Sequence, residues 1–335
     1  MRPTLLDCTL RDGGNQNDWR FTREDAATIV AGLDAGRVDV VEVGYRGGSG
    51  SADTSTAGEP AQSAAAYLRA LPRPAHARFA VMVVPTVCPP EAIDDLVSCG
   101  IDIVRIAEYP WNIDGVGEHV RRARGLGLTV GVNLMAASYV DDEDLRRAAA
   151  LVGELGPDVF YLADSFGALN PDSIAERLTL VREHCDSELG FHGHDNLGLA
   201  AANALAALDA GASWIDASLR GMARGAGNLV TERAAALLSS WERFDVDFDL
   251  PAVCEAGEYV GREVLPEPMP LGVAEIAAGV NDHHYYYVPH IEQASSEHGL
   301  DPWEVGRALG RRRPRGVKAA DVGHACDDIV HAGRR

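Results

Sequence analysis

Phe191-His192-Gly193-His194-Asp195-Asn196 carries two histidines one residue apart, behind the apolar lead-in Leu189-Gly190 and ahead of an apolar helical stretch at 197–208. This context reads as the carboxyl end of a β-strand. Side chains at i and i+2 of a strand share one face. Both imidazoles then point the same way, close enough to share one cation as neutral nitrogen ligands. The plain alternative is two histidines hydrogen-bonded separately at a strand end.

Working outward from this segment, eight short apolar runs alternate with helical patterns: 5–10, 38–45, 78–84, 101–108, 128–134, 159–164, 188–194 and 214–219. Helix starts are signalled at Thr22-Arg23-Glu24-Asp25, Pro89-Pro90-Glu91, Asp141-Asp142-Glu143-Asp144 and Pro171-Asp172-Ser173, and stops at Gly36, Gly100, Gly127 and Gly211. Near-continuous apolar strands separated by helices imply a parallel sheet buried on both faces. Eight such units have the size of a (β/α)8 TIM barrel. A doubly wound dinucleotide fold is disfavoured, because Gly13-Gly14-Asn15-Gln16 after the first run lacks the G-x-G-x-x-G spacing. The expected organisation is a catalytic barrel over 1–243 and a helical carboxyl-terminal extension over 244–335. That extension would cover the barrel mouth or make an oligomer contact. The polar loop 49–60 after the second run is a candidate lid or a surface loop.

Composition narrows the function. The chain has 335 residues, 46% of them apolar, and a formal charge of −20. Nucleic acid and anionic membranes both call for a basic surface, so neither is an expected partner. The basic cluster Arg311-Arg312-Arg313-Pro314-Arg315 is read as answering a helix dipole or a neighbouring segment. Six cysteines without CxxC spacing argue against a thiolate zinc site or a disulfide scaffold. With no signal peptide and no long apolar run, the expected location is the cytoplasm. Lys318 is the single lysine and lies outside the barrel, which nearly closes a Schiff-base route.

In a barrel of this kind the chemistry sits at the carboxyl ends of the strands. Polar groups there include Arg11-Asp12, Glu42, Arg105, Glu108, Asn133, Asp164-Ser165, His192, His194, Asp216, Ser218 and Asn228. Asp12 with the two histidines makes a mixed nitrogen and oxygen set suited to a divalent first-row cation. Arg11 offers a planar fork for an anionic oxygen. The plain alternatives are a structural Arg11–Asp12 ion pair and a Glu42 that merely holds a loop.

Three segments in order, 6–14, 192–200 and 216–228, resemble the metal-dependent lyase and synthase barrels. That superfamily includes hydroxymethylglutaryl-CoA lyase, isopropylmalate and homocitrate synthases, and 4-hydroxy-2-oxovalerate aldolase. The aldolase branch is the most similar, through Gly221-Met222-Ala223-Arg224-Gly225-Ala226-Gly227-Asn228 and the tail segments 298–302 and 310–312. The resemblance implies that Asp12, His192 and His194 hold a divalent metal ion. Manganese is expected, and magnesium, cobalt or zinc would be admissible. It further implies that Arg11 stabilises an enolate, that Ser165 contacts the 2-oxo acid, and that Glu42 and Asn228 surround or extend the metal site. The implied activity is an aldolase acting on a 2-oxo acid and an aldehyde. A Claisen-type acyl-CoA synthase and a non-catalytic scaffold are the alternatives.

The chain departs from the aldolase pattern at Asn15, where that branch has a histidine regarded as the base. Asparagine takes up no proton at neutral pH. The tail run Asn281-Asp282-His283-His284-Tyr285-Tyr286-Tyr287 supplies the expected replacement, His283 or His284, with Asn15 and Tyr285 at the substrate. The alternative is that the run packs the tail on the barrel, its tyrosines acting as amphipathic anchors. The resemblance also implies a homo-oligomer, whereas an acylating aldehyde dehydrogenase partner is doubtful given the altered residues.

Overall fold

In the computed structural model, which describes residues 1–48, 56–265, 267–270 and 272–332, all eight expected strands form. They are β1 (Thr4–Asp7), β2 (Val40–Arg46), β3 (Arg78–Val83), β4 (Ile103–Glu108), β5 (Thr129–Leu134), β6 (Val159–Asp164), β7 (Glu188–Gly193) and β8 (Ala212–Ala217). Each pairs in parallel with the next, and β8 returns to β1, closing a barrel in sequence order. The fold is a TIM barrel with a helical carboxyl-terminal extension.

The alternation of side chains along each strand explains why the runs are apolar throughout. One set of positions, including Leu6, Val40, Ala80, Ile103, Val159 and Trp214, fills the barrel lumen. The other set, including Leu5, Val41, Phe79, Val104 and Val130, meets the surrounding helices in the main core. Those helices are α1 (Arg23–Ala35), α2 (Ala65–Ala70), α3 (Gly117–Gly125), α4 (Asp142–Leu155), α5 (Pro171–Arg182), α6 (Ala200–Asp209), α7 (Thr231–Ser239) and α8 (Leu250–Tyr259). Capping follows the residues named from sequence: Thr22 and Asp25 form a reciprocal box at α1, and Asp141 accepts from the Asp144 amide at α4.

Three expectations differ in detail. β1 stops at Asp7, because the Cys8 carbonyl accepts from the amides of Arg11 and Asp12 and turns the chain out of the sheet. β8 stops at Ala217, and Leu219–Gly221 is a 3-10 turn. Pro89-Pro90-Glu91 opens only a short 3-10 turn, Pro90–Ile93, so no α-helix joins β3 to β4. The candidate lid 49–60 lies outside the described residues up to position 55. Beyond it, Glu59 pairs with Arg23.

Past α7 the chain packs in two places. α8 lies against α1 and α7, and its Val253 and Ala256, with Val260 just beyond, belong to the barrel's core. α9 (Val273–Asn281), α10 (Val288–His298), α11 (Pro302–Arg312) and α12 (Ala319–Ala332) follow. Tyr287, Ile291, Val305, Leu309, Val322 and Cys326 form a core of their own within this region. Arg312 pairs with Asp328 and Arg313 donates to the Tyr139 carbonyl, so the basic cluster meets neighbouring segments. Lys318 is exposed, and all six cysteines are free. Among the described residues no helix is long and apolar enough to cross a membrane.

Candidate active site

The upper lumen of the barrel is ionic. Arg105 on β4 donates to Glu42 Oε2 on β2 at 3.1 Å and to Asp216 Oδ2 on β8 at 2.5 Å, with its guanidinium 4.2 Å from the Tyr161 ring centroid. All four residues are buried. Charges so enclosed persist only where each has a partner. Asp216 Oδ2 also takes His192 Nδ1 at 3.0 Å, which turns His192 Nε2 toward Asp12 Oδ2, 3.5 Å away. A carboxylate behind an imidazole is the arrangement that fixes the ring of a metal-ligating histidine.

Asp12 sits on the turn after β1. Trp19 Nε1 donates to the Arg11 carbonyl at 2.6 Å, and Gly14 leaves room for the indole where any side chain would collide with it. Arg11 is held twice, by Glu42 Oε2 at 2.6 Å and by Asp12 Oδ1 at 3.0 Å. Asn228 Nδ2 donates to Asp12 Oδ2 at 2.9 Å, and Asn15 Nδ2 donates to the Asp12 carbonyl at 2.8 Å. His194, just past β7, places Nε2 3.7 Å from Asp12 Oδ2. That nitrogen is buried and has no hydrogen-bond partner among the described residues, as is true of Asn228 Oδ1 and Glu42 Oε1.

Ligand atoms of Asp12, His192 and His194 lie within 4.8 Å of one another. An unpaired buried nitrogen is costly unless something meets it, and the donor set fits a divalent cation. The protonation states agree. Burial works to raise the Asp12 carboxyl, but Arg11 and the His192 contact hold it well below the usual carboxylate range. Burial and then the Arg224 charge push His194 well down, leaving a neutral ring with a lone pair. Burial lowers His192 as well, but its contacts with Asp12 and Asp216 leave it raised.

The remaining sequence-predicted residues divide. Ser165 Oγ accepts from the Ala136 amide at 2.9 Å, while its carbonyl accepts from Arg224 Nη2 at 3.2 Å. His284 joins the mouth: its ring stands edge-on to Phe166, stacks on Tyr286, and accepts at Nδ1 from the Tyr286 amide. His283 does not join it. It is buried within the extension facing Gly306 of α11, its Nε2 unpartnered among the described residues. Tyr285 packs against Gly225 and bonds Glu275. Its neighbour Tyr286 reaches Asn15, the hydroxyl donating to Asn15 Oδ1 at 2.5 Å. Sequence reasoning missed Tyr286 and Arg224, and gave Arg105 and Asp216 no roles. A charged residue in mid-strand was the available signal for the last two. No spacing distinguishes one tyrosine of three.

The barrel and its strand ends define a class: a TIM-barrel enzyme with a carboxylate and two imidazoles gathered at the carboxyl ends of the strands. The HMGL-like family model matches residues 2–260. A curated protein from Geobacillus genomosp. 3 named 4-hydroxy-2-oxovalerate aldolase is 34% identical over 310 residues, covering 92% of this chain and 91% of its own. One of the same name from Thermomicrobium roseum is 36% identical over 315 residues, covering 93% and 87%. A solved structure, the N-terminal domain of a putative aldolase from Bacteroides vulgatus, superposes with a TM-score of 0.77 at 26% identity, covering 87% of this chain and 96% of that one. The chain belongs to the HMGL-like family and, with these relatives, is a carbon–carbon lyase.

Proposed function

We propose that this chain is a divalent-metal-dependent aldolase that makes or breaks the carbon–carbon bond next to a 2-oxo acid, with a pyruvate-type enolate and an aldehyde as the two halves. The observation that carries this reading is the convergence of Asp12, His192 and a partnerless buried His194 Nε2 beside Arg11. The names of the aldolase relatives support it.

Asp12, His192 and His194 would hold the cation, with Asn228 Oδ1 available beside them; manganese is the expected ion. When bound, a divalent cation draws electron density from the carboxylate and keto oxygens of a 2-oxo acid. Arg11, locked by Glu42 and Asp12, presents fixed positive charge where the oxyanion grows, without reorganising as it does so. Asp216 keeps the His192 ring in one orientation. In the cleavage direction a proton must leave the 4-hydroxyl. Asn15 cannot receive it, and instead holds the Tyr286 hydroxyl at the mouth. His284, driven down to about 3 by burial and the Arg224 charge, stays neutral and is stacked on Tyr286. With so low a basicity His284 does not keep the proton, so Tyr286 and His284 are assigned as a relay that passes it on to solvent.

The test is proton exchange from the methyl group of pyruvate in deuterated water, followed by NMR with metal-stripped and metal-restored protein beside Asp12→Asn. Exchange that needs both metal and Asp12 is expected. A protein that binds the metal yet exchanges neither pyruvate nor 2-oxobutyrate would overturn the reading.

A further inference from the structure

Arg224 lies in the loop between β8 and α7 and reaches across the mouth to the β6 loop, where it donates to the Ser165 carbonyl. Its position is fixed from both sides. Gln16 Nε2 donates to the carbonyl of Ala223, and Tyr285 packs on Gly225, which sits at a φ of 58° that suits glycine. The charge of Arg224 is felt at Asp12, His194, His284, Tyr45 and Tyr109, so it stands amid the groups that surround the mouth.

Arg224 differs from the other two arginines of the site. Arg11 is paired with the carboxylates of Glu42 and Asp12, and Arg105 with those of Glu42 and Asp216. Among the described residues no carboxylate pairs with Arg224, and a single neutral carbonyl takes one of its five N–H donors. The charge balance sharpens the contrast. Arg11 and Arg105 against Glu42, Asp12 and Asp216 leave one negative charge. A divalent cation and the carboxylate of one 2-oxo acid would bring that to neutrality. Before the enolate forms, Arg224 is then one positive charge over; it is half-buried, and its guanidinium reaches from the loop after β8 to the loop after β6.

We infer that the aldehyde substrate carries an anionic group of its own, a carboxylate or a phosphate, and that Arg224 binds it. The inference rests on the aldolase reading above and names the class of its second substrate. In the addition direction the new bond joins the pyruvate methyl carbon to the aldehyde carbon. The proton lost from the methyl group is matched by one gained at the new hydroxyl, and the anionic group stays intact at Arg224.

The experiment pairs pyruvate with matched aldehydes: succinic semialdehyde against butanal for a carboxylate, and glyceraldehyde 3-phosphate against glyceraldehyde for a phosphate. Wild type, Arg224→Lys and Arg224→Gln are compared, with circular dichroism to establish that each variant is folded. Wild type should favour one anionic aldehyde over its neutral match by about 10- to 100-fold in kcat/KM, mostly through the aldehyde KM, as expected for a charge-assisted fork. Arg224→Gln should erase that ratio and Arg224→Lys should keep part of it; which pair shows the preference tells carboxylate from phosphate. No preference in either pair, or equal losses in Arg224→Gln with charged and neutral aldehydes, overturns the inference. Pyruvate methyl exchange by wild type is measured first. If exchange is present and charge preference absent, this inference alone fails; if exchange is absent, the aldolase reading fails with it.

Discussion

At the scale of single residues, Asp12 is the point on which the site closes: Arg11, Asn15, Asn228 and both histidines meet its backbone or carboxylate. Removing its charge should therefore cost more than removing a group behind the ligands. Asp216→Asn, which loosens His192, is expected to weaken manganese binding by about 10- to 100-fold, the usual range for an outer partner. Asp12→Asn should weaken it further still, and calorimetric titration with manganese would show the order. A reversed order would mean that Asp12 is not a ligand. The mouth residues separate equally well. Tyr286→Phe keeps the stack on His284 but loses the Asn15 contact, so kcat for aldol cleavage should fall by about 10²-fold or more. His283→Ala, buried in the extension, should leave steady-state turnover near wild type. Equal damage from His283→Ala and His284→Ala would remove the assignment.

Among the elements, β2, β4, β7 and β8 are tied by the Glu42–Arg105–Asp216–His192 chain, so the lumen is both core and support for the site. Arg105→Leu leaves buried Glu42 with Arg11 and buried Asp216 with His192 as their remaining partners, and should cost about 3–5 kcal/mol in urea unfolding. The start of the barrel has its own pH signature. Burial pushes Asp7 up to about 6, against hydrogen bonds from Thr231 and Thr9. A carboxyl raised on folding contributes stability below its unfolded value near 4, and loses it as pH climbs through about 6. The loss is about 3 kcal/mol for two pH units. Unfolding midpoints between pH 4 and 7 should show this slope together with one of the same sign from Asp164, which burial also raises to about 6, and Asp7→Asn should remove only the Asp7 share. The strands were legible in sequence because burial on both faces makes them apolar without interruption. Their ends were less so: Cys8, Leu10 and Leu219 remain fully buried but lie in turns, and hydrophobicity alone does not distinguish the two. Asp12, His192 and His194 were legible because ligand chemistry restricts residue type. Arg224 and Tyr286 were not, since their roles depend on contacts more than 50 residues apart in sequence.

For the whole molecule, the question is what the extension contributes. α8 and its continuation to Val264 complete the wall of the barrel, whereas α10 to α12 surround a separate core and α9 lies against α11. This second unit meets the barrel at specific points: Asn196 Nδ2 donates to the Glu275 carbonyl, His284 stands on Phe166, and Tyr286 reaches Asn15. None of these contacts supplies Asp12, His192 or His194, but two of them bring the residues proposed to move the proton. A chain ending at residue 265 should therefore still unfold cooperatively and bind manganese much as the full chain does. It should also exchange the methyl protons of pyruvate while losing about 10²-fold or more in aldol cleavage. Cooperative unfolding with both reactions intact would place the proton route inside the barrel and leave the extension a packing role. Loss of cooperative unfolding or of metal binding would instead make the extension part of what holds the strand ends in place. Such a result would tie stability and site together across the Asn196–Glu275 and Tyr286–Asn15 contacts.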